Sequence, residues 1–443
     1  MSANPTTVSQ PAAAASTPDT NPSRRGFLRT STAAALGATM LGQLSVARSA
    51  HAAGSDILKV GLIGCGGRGS GAAANSLNGD PNVKLTALAD VFEDRIAGAI
   101  KNLQMQYGDR VDVPKERQFV GFDAYKGLID SGVDIVLMGT SPHFRPQHLK
   151  YAIEQGKHVF AEKPVCVDAP GYRSILETTA LAESKNLSIV SGLCWRYDYG
   201  VRETMKRVRD GAIGEIVAIR EMYNARGLWH HGHDPKWSDM EYQMRNWLYF
   251  TWLSGDHNAE QHVHSLDKAA WALGDISPTS CFGLGGRQTR IDPKYGHIFD
   301  HFAVCYEFPN GVPMFAYCRQ QDGCAVETSD TFYGTKGTAD ILNNTISVKD
   351  EPKWKYRGPT GNMYDIEHQE MIQGIRSGNI INNGHYMANS SMIAVIGRMA
   401  SYTGQVITWE EAVNSKEDLS PKAYEWGPLE TPAVAMPGIT PFV

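Results

Sequence analysis

Lys163, in "KHVFAEKP", and the pair Glu260 and His264, in "SGDHNAEQHVHSLDKAAWALG", are the residues whose types and spacing suit proton chemistry. A lysine at the end of an apolar strand, partly out of water and beside a positively charged ligand, has its ammonium form disfavoured and exchanges protons near neutrality. The alternative is a lysine that simply pairs with Glu162 or with a phosphate. Glu260 and His264 are four residues apart, so on a continuous helix they share a face, where a carboxylate orients an imidazole and steers a hydroxyl proton. Glu260, His262 and His264 are also potential metal ligands. Residues two apart on a helix point in different directions, and no metal is expected.

A second constellation precedes these. "KVGLIGCGGRGSG" places Gly64, Gly66 and Gly69 as G-x-G-x-x-G after an apolar strand and at the mouth of a helix, with Gly67 and Arg68 inside the turn. That spacing gives a tight turn, close backbone approach to a pyrophosphate and close helix-strand packing. Asp90 ends the next strand, about 20 residues past the last glycine, where a carboxylate accepts a ribose 2'-hydroxyl. A 2'-phosphate there meets like charge, so NAD is expected over NADP. "GTSPHFRPQH" and "EKP" end two further strands on the same rim, which adds Thr140, Pro142, Glu162 and Lys163 to the expected cofactor contacts.

The two constellations together are similar to the glucose-fructose oxidoreductase, inositol dehydrogenase and rhizopine-catabolism (Gfo/Idh/MocA) family, over nearly all of the chain beyond the leader. The resemblance rests on "EKP" after a dinucleotide-binding turn and on the spacing through Glu260, His264, Asp267, Trp271 and Gly274. It implies that Lys163 and His264 form the catalytic centre, with Glu260 beside them. Two departures stand out: Glu260 replaces the family's usual aspartate, and His262 replaces a glycine, so His262 is expected on the substrate side. Between the two constellations lies "GLWHHGHDPKWSDMEYQMRNWLYFTWLSGD". Its Trp229 and Trp247 offer flat faces to a sugar ring, and His231 and Arg245 offer hydrogen bonds. Most aromatic residues of such a stretch are core, so only two or three are expected to touch substrate. Trp195, Arg196 and Tyr197, at the change of domain, are further candidates.

The elements that must position these groups follow from the pattern. Short apolar strands alternate with helical periods over residues 55–194, the mark of an α/β Rossmann domain with a parallel, doubly wound sheet. Residues 195–443 read as an α+β domain with a mostly antiparallel open sheet, including a hairpin turned at Asn310 and Gly311. Residues 1–52 read as a disordered start and a twin-arginine signal peptide: Arg24 and Arg25, a weak apolar run from Ala33 to Val46, then "AHAA". Export to the periplasm through the twin-arginine machinery is therefore expected.

At 443 residues, 42% apolar and 20% charged, the chain has the composition of a soluble globular protein. With the four arginines and one aspartate of the leader set aside, 38 basic face 46 acidic residues. No nucleic-acid partner and no membrane span after cleavage are expected. The seven cysteines contain no C-x-x-C and read as buried thiols. A homo-oligomer formed through the second-domain sheet is expected.

Three functions fit these residues. The first is an oxidoreductase acting at a CH-OH group of a sugar with a tightly retained nicotinamide cofactor. The second is an NAD-dependent glycoside hydrolase working by transient oxidation and elimination. The third, a non-catalytic binding protein, is disfavoured by the presence of both Lys163 and His264.

Overall fold

The computed structural model describes residues 56–443, so the arginine pair and the leader expected around it lie outside the described residues. Six short strands form the first sheet: β1 (Leu58–Ile63), β2 (Val83–Asp90), β3 (Gln118–Val120), β4 (Ile135–Met138), β5 (His158–Ala161) and β6 (Ile189–Ser191). All pair in parallel, in the order β3-β2-β1-β4-β5-β6. Their near-continuous apolar character follows from cover on both faces. Helices α1 (Gly67–Gly79), α2 (Glu93–Tyr107), α3 (Ala124–Asp130), α4 (Arg145–Glu154) and α5 (Ala169–Ser184) provide that cover. The strand order reverses between β1 and β4, and the crevice at such a reversal is where ligands of this architecture bind.

After α6 (Tyr199–Arg209), β7 (Ile216–Ala225) enters the middle of a nine-stranded sheet. The other strands are β8 (Ser280–Gly286), β9 (His301–Glu307), β10 (Pro313–Gln320), β11 (Glu327–Gly334), β12 (Gly337–Asp340), β13 (Thr345–Val348), β14 (Trp354–Lys355) and β15 (Ile407–Thr408). Every pairing is antiparallel except β7 with β10. The expected hairpin is β9–β10, and Gly311 takes φ +76° at its turn, a conformation suited to glycine. Between β7 and β8 run four short helices: α7 (Asp239–Arg245), α8 (Thr251–Ser254), α9 (Asp256–Glu260) and α10 (Val263–Ala272).

A division at residue 194 separates the two sheets, yet the chain crosses it again. Helices α11 (Met363–Ser377) and α12 (Gly384–Thr403) return to the first sheet: α11 packs on α1, and Ile189 N donates to Ile381 O at 3.0 Å. All of α12 except His385, Tyr386 and Asn389 is buried, between α5 and β8. One hydrophobic core therefore runs from Val136 and Met138 of the parallel sheet through Ile393 and Ile396 to Met314 and Phe332 of the second. All seven cysteines are free thiols, five of them buried. No helix among the described residues is long and apolar enough to cross a membrane.

The core also encloses imidazoles. His148, His262 and His368 are buried, and desolvation pushes the pKa of each down to about 3. In the unfolded chain a histidine binds its proton near pH ~6.5, so the unfolded state takes up more protons below that pH and stability falls as pH drops. Thermal melts should lose stability from about pH 6.5 downward, at up to about 1.4 kcal/mol per pH unit for each histidine. A melting temperature that stays flat from about pH 7 to about pH 5 would contradict this burial.

Candidate active site

The glycine turn is built as the spacing requires. Gly64 has φ +89°, and a Cβ on Gly69 would lie 1.9 Å from Gly64 O, so α1 can approach β1 only with glycine there. Gly66 and Gly67 differ: a Cβ on either would meet nothing within 4 Å. Their backbone is open to the crevice at the N-terminus of a 13-residue helix that has no side-chain cap and no acid in its first turn. These are the conditions under which free N–H groups and the helix dipole hold a phosphate. The turn therefore fits a dinucleotide.

From this turn a cavity of about 560 Å³ extends along the rim of the parallel sheet and under the second domain. Gly64, Gly66, Gly67, Arg68, Asp90 and Thr140 line it, as expected of cofactor contacts. Asp90 accepts from Cys65 N at 2.6 Å and from Phe92 N at 2.9 Å. Burial pushes its carboxyl above the usual range, against these two amides. Arg95, also on the cavity wall, is the nearby cation.

Four expected cofactor contacts lie off this wall: Gly69 is packed under Gly64 O, Lys163 is turned to Glu260, and Pro142 and Glu162 are buried. Pro142 is buried at the start of a short 3-10 turn and leaves the lining to Thr140 and Ser141. Glu162 is also buried: its carboxylate takes Arg68 Nε at 2.6 Å and so orients a cavity-lining guanidinium that also lies 4.7 Å from the Tyr364 ring.

Lys163 and Glu260 do meet. Lys163 Nζ donates to Glu260 O at 2.5 Å and lies 3.2 Å from Glu260 Oε1. The shared helical face of Glu260 and His264, however, does not form, because the helix is broken: α9 ends at Glu260 and α10 starts at Val263. The break leaves the Glu260 carbonyl free to accept the ammonium. His264 sits in the first turn of α10, where burial, with Lys163, Lys268 and Arg68 around it, holds its pKa well below the ordinary value. The helix N-terminus acts in the same direction. Its Nδ1 is buried and has no hydrogen-bond partner within the protein. A neutral imidazole, an ammonium and a carboxylate thus converge beside the cavity.

Of the expected sugar contacts, Trp229, His231, Arg245 and Trp247 line the cavity. Trp229 stands over His231 at 4.5 Å and 41% exposed, while Trp252 and Tyr249 of the same stretch are core. The Arg245 guanidinium is already engaged by Glu241 and by the Phe92 ring at 3.9 Å. Arg196, Tyr197 and His262 are corrections, since none reaches the cavity. Arg196 is buried between Asp267 and Asp275 and lies on the Tyr386 ring at 3.7 Å. The Tyr197 hydroxyl donates to Asn383 at 2.9 Å. His262 turns inward to Asn258 at 3.2 Å, which also takes it away from any shared metal with Glu260 and His264. Trp195 is half-buried behind the site, with Lys268 Nζ 5.2 Å from its ring centroid.

Sequence reasoning did not anticipate several parts of the site. Arg145 is fully buried, and its guanidinium donates to the carbonyls of Thr140 and Pro164, tying the loop after β4 to the loop after β5. Gln261 joins the cavity wall from the helix break. The segment after α13 (Trp409–Asn414) crosses the seam between the sheets. In it Leu419 N reaches Asp168, Tyr424 meets His143 at 2.8 Å, Trp426 stacks on Phe92 at 5.5 Å, and Gly427 O accepts from Met240 N. The dense aromatic content of this tail, "AYEW", was the available signal.

A parallel sheet of Rossmann order is thus joined to an open, mostly antiparallel sheet, with Lys163 and His264 between them. Residues 58–192 match the oxidoreductase family with an NAD-binding Rossmann fold, Gfo/Idh/MocA. The chain is 24% identical over 257 residues to 2,7-anhydro-N-acetylneuraminate hydratase of Escherichia coli (strain K12), covering 58% of this chain and 60% of that protein. It is 27% identical over 217 residues to glycosyl hydrolase family 109 protein 1 of Bacteroides fragilis (strain YCH46), covering 48% and 45%. The matched part thus spans roughly half the length of these curated relatives. In fold it resembles the aldose-aldose oxidoreductase of Caulobacter crescentus, with TM-score 0.62, 19% identity and coverage of 80% and 99%.

The two kinds of glycine should separate on substitution. Gly67→Val projects into open cavity and should keep the wild-type melting temperature while losing bound dinucleotide. Gly69→Ala drives a Cβ into Gly64 O and should lower the melting temperature itself. Differential scanning calorimetry with and without added NAD checks both, and a Gly67→Val protein that still copurifies with dinucleotide would contradict the assignment.

Proposed function

We propose that the whole chain is an oxidoreductase of the Gfo/Idh/MocA type that acts on a sugar or sugar derivative with NAD held in the cavity. The observation that carries this is the meeting of Lys163, Glu260 and neutral His264 beside a cavity that begins at the glycine turn. The nicotinamide ring, when bound, supplies the hydride acceptor and donor. Lys163 donates a hydrogen bond to the substrate oxygen, and Glu260 fixes the ammonium. His264, kept neutral by its surroundings, accepts the hydroxyl proton as the C–H bond breaks and returns it in the reverse direction. Trp229 and Trp247 supply flat faces for a ring. Asp90 supports NAD over NADP by like-charge exclusion of a 2'-phosphate.

Transient oxidation followed by elimination is a second reading, and one observation favours it. The relatives include proteins named as a hydratase and as glycosyl hydrolases, names that denote reactions with water. In that version the alcohol is oxidised to a ketone and the neighbouring C–H becomes acidic. A base removes that proton as the aglycone leaves, water adds across the double bond, and the hydride returns. The same three side chains serve both versions.

Export on the twin-arginine route fits either version, because a chain folded before transport carries its cofactor out. Retention without free NAD outside requires affinity near ~1 nM, about -12 kcal/mol. The periplasmic protein, denatured after purification, should release NAD; cytoplasmic retention of the precursor would remove the export proposal, and release of NADP would remove the assignment to Asp90. Lys163→Ala and His264→Ala should each lower turnover about 10²- to 10⁴-fold with cofactor still bound. A glycoside supplied in deuterated water separates the versions: deuterium beside the transient ketone supports elimination, and its absence together with a requirement for a second carbonyl sugar supports net oxidoreduction. A single sugar that consumes added free NAD stoichiometrically would defeat the retained-cofactor reading.

A homo-oligomer through the second sheet is supported by its outer face. Phe282 and Leu284 of β8, Ala303 and Cys305 of β9, and Phe315 and Tyr317 of β10 stand in register there, and Leu284 is 70% exposed. Sedimentation should report an oligomer that Leu284→Asp dissociates; a monomeric wild-type protein would contradict it.

A further inference from the structure

Behind His264 the second domain buries three ionisable side chains that the proposed mechanism does not use. Glu221 of β7 and Asp330 of β11 are directly paired across the strands, and both are fully buried. Lys268 of α10 is 1% exposed, with Nζ 2.9 Å from Asp330 Oδ2. The same Nζ donates to the backbone carbonyl of His264 at 2.7 Å, one helical turn back. Trp195 covers the ammonium from the other side, its ring centroid 5.2 Å away.

We propose that Lys268, anchored by Asp330, is a positioning residue that fixes the turn of α10 carrying His264. This rests on the reading of His264 as the proton-handling group. A buried ammonium is costly unless paired and hydrogen-bonded, and here its partners are one carboxylate and one main-chain carbonyl. Together they leave α10 little freedom to rotate or unwind at its first turn. Two carboxyls face one ammonium, so charge balance requires one proton more. Burial and the facing Asp330 raise the Glu221 carboxyl well above its usual range. Asp330 is held below its own: burial opposes this, and the Lys268 ammonium 2.9 Å away prevails. Charge balance therefore places the proton on Glu221, and a single ion pair, Lys268 with Asp330, remains.

The charged groups facing the His264 imidazole are Lys163 from the loop after β5, Arg68 from α1 and Lys268 from its own helix, with Glu260 of α9 on Lys163. Removing Lys268 takes away one of three cations, so the imidazole should protonate at higher pH. Lys268→Met alone strands Asp330 as a buried unpaired charge, and this variant should melt well below wild type. The paired variant Lys268→Met/Asp330→Asn removes both charges and should fold.

The test uses the full chain loaded with NAD. In the paired variant, NAD content should match wild type, while NMR titration of the His264 ring shows its pKa moving up toward that of an ordinary histidine. Turnover of the sugar substrate should fall about tenfold or more with KM nearly unchanged, the pattern of a misplaced catalytic group. A paired variant with wild-type turnover and an unmoved His264 titration would overturn the proposal. A Lys268→Met protein as stable as wild type would overturn it too, because Asp330 would then not be its charged partner. Full activity of His264→Ala would instead remove the reading of His264 on which the proposal rests.

Discussion

The rim of this protein is organised around one ammonium. Lys163 stands at the end of β5 on the parallel sheet, and its Nζ is held by Glu260 of α9, which belongs to the other domain. Neither domain alone could place the group. The contact exists because the chain leaves helical geometry between Glu260 and Val263, which frees a carbonyl that an unbroken helix would have satisfied internally. Two neighbours keep the lysine's own loop in place. Arg145 fastens the loops after β4 and β5 to each other, and Glu162, immediately before the lysine, is tied to Arg68 on the far side of the crevice.

Electrostatics then decides what each group at the rim can be. A histidine surrounded by Lys163, Lys268 and Arg68 in a helix's first turn is poorly placed to hold a second proton, so its imidazole is kept neutral. In the proposed reaction the role of the imidazole as acceptor is thus set by its surroundings rather than by residue type.

How much of this the sequence made legible depends on the range of the interaction. The glycine turn, Asp90 and the Thr140 loop were readable because each is a local device whose spacing is set by one strand and the turn after it. Both sheets were readable for the same reason, from runs of apolar residues. The Glu260–His264 face was misread because helical spacing assumes continuity, and the break at Gln261–His262 involves a partner remote in sequence: Gln320 donates to Gln261, while His262 turns to Asn258 four residues back. Arg196 shows the same limit. An arginine at a domain boundary looks like a ligand contact until Asp267 and Asp275, more than seventy residues away, are found closed around it. Arg145 and the tail through Trp426 gave no periodic signal, since each acts by a few contacts to loops.

The continuity of the core bears on how a cofactor could be held. In a two-domain enzyme with a thin interface, hinge opening is the default way for a ligand to leave. Here α12 is buried against both α5 and β8, and apolar packing is unbroken from Val136 to Phe332. The tail adds a second tie across the seam, from Asp168 and Phe92 to Met240 and Gln243. Opening the cleft by rigid rotation would have to expose part of that core and break the tie together, which makes it an expensive motion. Exchange of a small substrate through the exposed end near Trp229 and His231 needs no such motion. The glycine turn is itself open, with Gly67 and Arg68 exposed, while Lys163 is mostly buried against Glu260. The same packing that places Lys163 against Glu260 therefore also opposes opening of the cleft, and the position of the ammonium and the rigidity of the seam have a common structural origin.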